Sequence, residues 1–319
     1  MTAMNGDTLV KVEHLSRYYG DTRAVHDVSF SVSRGEVLGF LGPNGAGKST
    51  TMQIISGNLA PSAGQVWIDG HDILDEPKAA KAKLGFLPEH PPLYRDFTVD
   101  EYLTYCARIN RIPAARRRPA LNTAKERCGL TDVGRRLIGN LSKGYQQRVG
   151  IAQAIIHSPP VVILDEPTVG LDPIQIREIR ALIRELGGDH SVILSTHILP
   201  EVQAICDRVQ IISKGELVLN DTIEGLLLRM QASSLLAAMR VMPGKAELLA
   251  IAGVRAVEML DANRVRLHYL PEHNPAEQLV EKAVQHGWGL FELTPERISL
   301  EQVFVDITCD EPHVAEAAA

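Results

Sequence analysis

Short runs that alternate apolar and polar residues fill the start of the chain: Leu9-Val10-Lys11-Val12, then Ala24-Val25-His26-Asp27-Val28-Ser29-Phe30-Ser31-Val32. A period of two marks strands with one buried face, so residues 8–41 are expected to open with antiparallel strands. Gln65-Val66-Trp67-Ile68-Asp69 reads as another, entering a turn at Gly70. Three stretches differ: Val37 to Leu41, Val161-Val162-Ile163-Leu164 and Ser191-Val192-Ile193-Leu194-Ser195 are continuously apolar or nearly so. Strands of a parallel sheet, covered on both faces, show that pattern. From about Phe97 a helical period takes over, opening on Thr98 as N-cap with Glu101 three residues on. It continues with interruptions to about Arg136, and residues 97–157 read as a helical insertion within an α/β core.

Beyond Asn220-Asp221 the pattern changes again. Val265, Leu267 and Tyr269 alternate with Arg264, Arg266 and His268, as in a half-buried strand. Asn274-Pro275-Ala276-Glu277 opens a helix, Leu279, Val280, Ala283 and Val284 form its expected buried face, and Gly287 ends it. With strands near 235–242, 254–260, 263–269 and 288–294 and a short helix near 245–252, the order is β-α-β-β-α-β, that of a small ferredoxin-like domain. Ser299-Leu300-Glu301-Gln302 is expected to cap a final helix, and the tail 310–319 to be disordered. The predicted division is 1–222, 223–309 and this tail.

The glycine-rich turn Gly42-Pro43-Asn44-Gly45-Ala46-Gly47-Lys48-Ser49-Thr50 sits between the first apolar strand and a helix opening at Thr51-Met52-Gln53-Ile54-Ile55. Backbone N–H groups of such a turn converge on a phosphate, and the helix dipole adds to the attraction. Lys48 is placed to reach β- and γ-phosphates and the Ser49 hydroxyl to ligate Mg²⁺, so the chain is expected to bind a nucleoside triphosphate. A bare glycine turn is the alternative, disfavoured by the strand and helix on either side. Asp165 and Glu166 follow the second apolar strand, at the carboxyl end where α/β ligands bind. Asp165 is expected to hold Mg²⁺ through water, and Glu166 to act as general base on the attacking water. His197 closes the third apolar strand and is expected to hydrogen-bond the γ-phosphate. Tyr18 and Tyr19, read as a loop before Gly20, suit either base stacking or turn packing.

Composition narrows the setting. A formal charge of −6 argues against a general nucleic-acid binder, and Arg116-Arg117-Arg118 reads as a solvated helix face. Cys106, Cys128, Cys206 and Cys309 form no close pairs, which fits a reducing cytosol and neither a disulfide framework nor a zinc site. No secretory signal is visible at Met1–Gly6. The richest apolar stretch, Val149 to Leu164, is broken by His157, Pro159 and Pro160, short of the ~18 residues a membrane helix needs. Membrane work would require a partner.

Leu141-Ser142-Lys143-Gly144-Tyr145-Gln146-Gln147-Arg148 opens a helix between these strands. With it, residues 8–220 resemble the ATP-binding subunit of an ABC transporter. Ser142 and Gly144 match the family's signature run, while Lys143 and Tyr145 stand where it has a glycine and a glutamine. Tyr19 matches the base-stacking aromatic, Leu164-Asp165-Glu166-Pro167 the Walker B strand, Gly170-Leu171-Asp172 the D-loop and His197 the switch histidine. The resemblance implies ATP and Mg²⁺ as cofactors and an ABC-type P-loop core with antiparallel β and helical subdomains. It also implies a head-to-tail homodimer in which Ser142 and Gly144 cover the γ-phosphate held by the other copy. Glu89 stands where the family usually has a glutamine that contacts Mg²⁺ and senses the transmembrane partner; a carboxylate can ligate the ion as well. The pattern is similar to export-type subunits of the gliding-motility, drug-resistance and sodium-efflux kind. These imply a cytosolic ATPase bound peripherally to the cytoplasmic face of the membrane, driving a separate multi-span permease. The rival readings are a soluble ABC-type ATPase acting on DNA or ribosomes and a regulatory nucleotide-binding module.

Overall fold

The computed structural model describes residues 7–229, 234–270 and 273–296; the final helix expected to open at Ser299 and the tail from Asp310 lie outside the described residues. The chain divides into two compact units, Met1–Ile223 and Glu224–Ala319.

In the first unit, β1 (Thr8–Tyr19) and β2 (Thr22–Ser33) form a long hairpin, β3 (Val37–Leu41) leads into α1 (Lys48–Ile55), and β4 (Ala63–Ile68) pairs with β5 (His71–Asp72). Except for β3 these strands make one antiparallel sheet in the order β2-β1-β4-β5. Tyr18 and Tyr19 belong to the end of β1 rather than to a loop, because the turn beyond them is tight enough for Tyr18 to face Arg23 and Tyr19 to face Thr22. Then follow α2 (Pro77–Ala82), β6 (Leu84–Leu87), α3 (Val99–Ile109), α4 (Ala114–Arg127), α5 (Lys143–Ile155), β7 (Val161–Asp165), α6 (Pro173–Leu186), β8 (Ser191–Thr196), α7 (Leu199–Ile205), β9 (Arg208–Ser213) and β10 (Glu216–Thr222). A six-stranded sheet runs β10-β9-β3-β8-β7-β6, parallel except for the terminal β9–β10 hairpin. That hairpin turns at Lys214 and Gly215, both with positive φ, the geometry of a tight two-residue turn.

Every residue of β3, β7 and β8 is buried, as their unbroken apolar runs predict. One core joins the two sheets: Val10, Val12 and Phe30 from the first pack with Phe40, Ile163 and Ile193 from the second and with Ile54 and Ile55 of α1. It clamps α1, and so the glycine turn before it, between the sheets. α3 carries the expected capping box, with the Thr98 hydroxyl accepting from Glu101 N and Glu101 accepting from Thr98 N. α4 buries Ala124 alone, which agrees with an arginine-rich solvated helix.

The second unit opens with α8 (Ile223–Arg229), followed by β11 (Ser234–Met239), α9 (Lys245–Leu249), β12 (Val254–Met259), β13 (Arg264–Tyr269), α10 (Ala276–Gln285) and β14 (Leu290–Glu296). After α8 the order is the expected β-α-β-β-α-β, and its antiparallel sheet runs β12-β13-β11-β14, a ferredoxin-like arrangement. The unit has its own core, with Leu235, Met239, Leu248, Val257, Val265, Leu267, Leu279 and Trp288 at its centre. One expectation is corrected: α10 buries Leu279 and Ala283, whereas Val280 and Val284 face solvent. A single row of side chains spaced four apart reaches the sheet, and the neighbouring row, turned about 100° around the axis, does not.

Candidate functional site

Gly45 and Gly47 adopt φ of 78° and 107°, a left-handed backbone that only glycine takes without strain. A Cβ on Gly47 would collide with the Ala24 carbonyl, and one on Gly42 with the Ile212 carbonyl. The turn is thus pressed against backbone on two sides and has one shape. Ala46 is buried in the core beneath it. Lys48, at the first position of α1, folds its side chain back over the turn: Nζ donates to Gly42 O at 2.8 Å and Pro43 O at 3.2 Å, and lies 3.5 Å from Glu166 Oε1. Lys48 and Glu166 are both buried, so their attraction is weakly screened.

The sheet brings the remaining groups here. β7 lies beside β8 with Asp165 opposite Ser195, which sets the residues after each strand next to one another. Glu166 N donates to Ser195 O at 2.9 Å. Glu166 itself has φ of 49°, unusual for a residue with a Cβ and characteristic of functional positions. That twist turns the carboxylate out of the strand's line, and His197 Nδ1 lies 3.0 Å and 2.9 Å from its two oxygens. The ring's Nε2 is the nitrogen this contact leaves for another partner.

Asp165 is buried, and its Oδ1 has no hydrogen-bond partner. Burial pushes its carboxyl above the usual carboxylate range; the Ser195 and Ser49 hydroxyls oppose this, and the charges of Glu166 and Glu89 add to it. An orphaned carboxylate oxygen near a hydroxyl is a donor set for a hard cation. Among the described residues no group of three His, Cys, Asp or Glu side chains could hold a metal alone. The unpartnered Asp165 oxygen and the Ser49 hydroxyl fit Mg²⁺, which binds through one or two carboxylates while keeping water and substrate phosphate oxygens as its other ligands.

The raised pKa has a sign that can be tested. Between the unfolded and folded pKa values the folded chain holds more protons, so Asp165 lowers stability as pH rises through that window. Asp165→Asn is therefore expected to raise the thermal midpoint of the nucleotide-free chain at neutral pH. The gain should shrink to nothing at pH values below the ordinary carboxylate range, while turnover is lost. Thermal melts of both chains across pH check the first part, and phosphate release the second.

A cleft of about 410 Å³ gathers Asn44, Gly45, Gly47, Lys48, Ser49, Thr50, Glu89, Glu166 and His197. The other candidates stand apart from its lining. The Tyr19 ring is exposed beneath the Arg17 guanidinium, 4.7 Å from its centroid. Ser142 N-caps α5, its hydroxyl accepting from Tyr145 N at 3.4 Å, and Gly144 lies against the Gln175 side chain. Asp172 N-caps α6, accepting from Ile174 N at 3.0 Å and Gln175 N at 2.9 Å.

Two further features lie around the Glu89–Tyr94 segment. A second cleft of about 450 Å³ runs from Glu89, His90 and Leu93 to Lys143, Gln146 and Gln147 of α5, sharing Glu89 and Val169 with the first. Near it in sequence, Tyr94, Phe97 and Tyr105 form a partly exposed cluster with ring centroids 5.4 Å, 5.5 Å and 6.3 Å apart. Its signal was the density of aromatics from 94 to 105 in a chain only 5% aromatic.

The ABC transporter family profile matches residues 25–169. Over 326 aligned positions the chain is 32% identical to a daunorubicin resistance ATP-binding protein of Streptomyces coeruleorubidus, covering 98% of this chain and 99% of that one. A bacitracin transport ATP-binding protein of Bacillus licheniformis is 38% identical over 213 residues, 66% of this chain and 69% of the relative. Among solved structures, a dimeric ATP-binding cassette in a post-hydrolysis state, bound to ADP and phosphate, superposes with a TM-score of 0.61 at 26% identity, over 67% of this chain and 99% of that one.

Proposed function

This chain belongs to the ATP-binding subunits of ABC transporters, and on that premise we propose that it drives export through a separate multi-span permease. It is an ATPase, and the observation that carries its mechanism is the contact of Glu166 with His197 beside Lys48. The turn amides and Lys48 hold the β- and γ-phosphates. Glu166 takes the proton of the attacking water. With a hydrogen on each ring nitrogen, His197 donates to that carboxylate from Nδ1 and to the γ-phosphate from Nε2. Ser49 and Asp165, with Glu89 in the same cleft, would hold Mg²⁺, which when bound neutralises charge on the phosphate oxygens.

Ser142, Gly144 and Asp172 lie outside their own chain's cleft lining. A hydroxyl and a glycine amide at a helix N-terminus suit an anion. We assign them to the nucleotide of a second copy, in a head-to-tail homodimer, and Tyr19 to stacking on the base. The dimeric cassette superposed above supports this pairing. Exposed aromatics are enriched where proteins dock, and the Tyr94–Phe97–Tyr105 cluster beside the Glu89 segment is where we seat the permease. Among the described residues no helix is long and apolar enough to cross a membrane, so the permease supplies the attachment to its cytoplasmic face. We take residues 1–222 as the ATP-binding domain and 223–309 as an accessory domain. The export direction draws on the daunorubicin resistance relative, whose alignment runs through both units.

The test is to tag the full chain, extract membranes gently and identify what co-purifies. A multi-span protein lacking its own glycine-rich phosphate turn is expected. Recovery in the soluble fraction alone, with ribosomes or DNA, would overturn the reading.

A further inference from the structure

We propose that Glu201 is a positioning residue for hydrolysis: its buried carboxylate ties together the two loops that carry Glu166 and His197. The inference rests on the roles given to those two residues above.

Glu201 lies in the first turn of α7 and is fully buried, a rare state for a carboxylate. Its oxygens are divided between the two loops. Oε1 accepts from the Thr168 hydroxyl at 2.6 Å, and Oε2 from the Thr196 hydroxyl at 3.0 Å. Thr168 is two residues past Glu166, and Thr196 immediately precedes His197. The Thr196 hydroxyl also accepts from Ile198 N at 3.1 Å, so the backbone on both sides of His197 is held through one oxygen. Arg180 of α6, whose N-cap is Asp172, approaches Oε1 at 3.4 Å and balances the charge.

A fully buried carboxylate is stable only when paired and hydrogen-bonded. This one is, and both hydroxyl partners belong to segments adjoining the reacting groups. The Glu166–His197 contact is made by side chains from separate loops, and Glu166 holds a left-handed backbone that its neighbours must enforce. A short link between the loops supplies that restraint. A carboxylate accepts from both hydroxyls at once and carries the charge that Arg180 faces; glutamine has no such charge, and the threonine that meets its amide N–H must reverse from donor to acceptor.

In Glu201→Gln, kcat is therefore expected to fall about ten- to hundredfold, as for small misplacements of reacting groups, with KM for ATP unchanged because the glycine turn is untouched. The decisive readout is a double-mutant cycle with His197→Ala. If Glu201 acts by placing His197 against Glu166, Glu201→Gln should cost little further once His197 is gone. Losses that multiply, a KM that rises in step, or wild-type kcat in Glu201→Gln would each overturn the proposal. Should Glu201→Gln fail to fold, Thr196→Val replaces it in the cycle, and Thr196→Ser, which keeps the hydroxyl, must restore kcat. Glu166→Gln and His197→Ala measured alone report separately on the catalytic assignment. Wild-type turnover in both would sink that assignment, whereas a large loss in both with no effect at Glu201 would sink only the present proposal.

Discussion

Glu166→Gln is expected to lower turnover about 10²- to 10⁴-fold, the usual contribution of a general base, and to leave an ATP-bound dimer that persists on a sizing column. The amide matches the carboxylate in shape and its oxygen still accepts from His197 Nδ1, now 2.9–3.0 Å from the carboxylate oxygens. It cannot take a proton from water. The glycine turn, to which the phosphate contacts are assigned, does not depend on Glu166 for its shape: its constraints come from the Ala24 and Ile212 carbonyls. ATP should therefore bind with near-normal affinity, and a chain that closes on ATP without cleaving it stays closed. Single-turnover phosphate release with light scattering in ATP and ADP checks both halves. Normal hydrolysis would remove the base assignment, and a monomer in ATP would remove the dimer.

Lys48→Ala should fail one step earlier. A charge-assisted hydrogen bond is worth about 1.5–3 kcal/mol, so loss of the lysine's phosphate contacts weakens ATP binding by roughly ten- to hundredfold. Turnover falls further, because the same cation stabilises charge on the transferring group. A stability cost comes with it: Glu166 is buried, and its nearest cation at 3.5 Å disappears. Removing one partner of a buried pair typically costs about 3–5 kcal/mol; with His197 still in contact with the carboxylate, the low end is expected. Fluorescent-nucleotide titration measures the affinity and urea unfolding the stability. Unchanged ATP affinity would show that Lys48 serves the Glu166 carboxylate and not the phosphates.

The two variants depend on different kinds of information. Lys48 is recognisable because its task is local: the glycines that turn the chain, the lysine that reaches back and the helix that follows are consecutive in sequence. The same holds for the capping box of Thr98 and Glu101, the N-caps at Ser142 and Asp172, and the all-buried runs of β3, β7 and β8. Their geometry follows from residues within a few positions, so pattern and spacing suffice to read them. The β-α-β-β-α-β order of the second unit was legible for the same reason, each element carrying its own period and end signals.

What the sequence could not reach are facts about which elements become neighbours and what covers each face. Glu166 and His197 are 31 positions apart, and they touch because β7 and β8 are adjacent with Asp165 facing Ser195. Strand order in a parallel sheet is decided by how the crossover helices pack, which leaves no local mark on the strands. Glu201 looks like an ordinary charged residue in a helix until Thr168 and Thr196 from two other segments enclose it. Val280 and Val284 carry the apolar period of a buried face, yet they stay in water because only the row of Leu279 and Ala283 turns to the core. Tyr94, Phe97 and Tyr105 became a surface only when α3 and the loop before it closed on each other. The sequence by itself pointed to a phosphate-binding turn and to the kind of those elements that carry a clean period or cap. Tertiary structure alone decided which of the reacting groups meet, because a hydrogen bond requires contact within about 3 Å and contact is a property of packing.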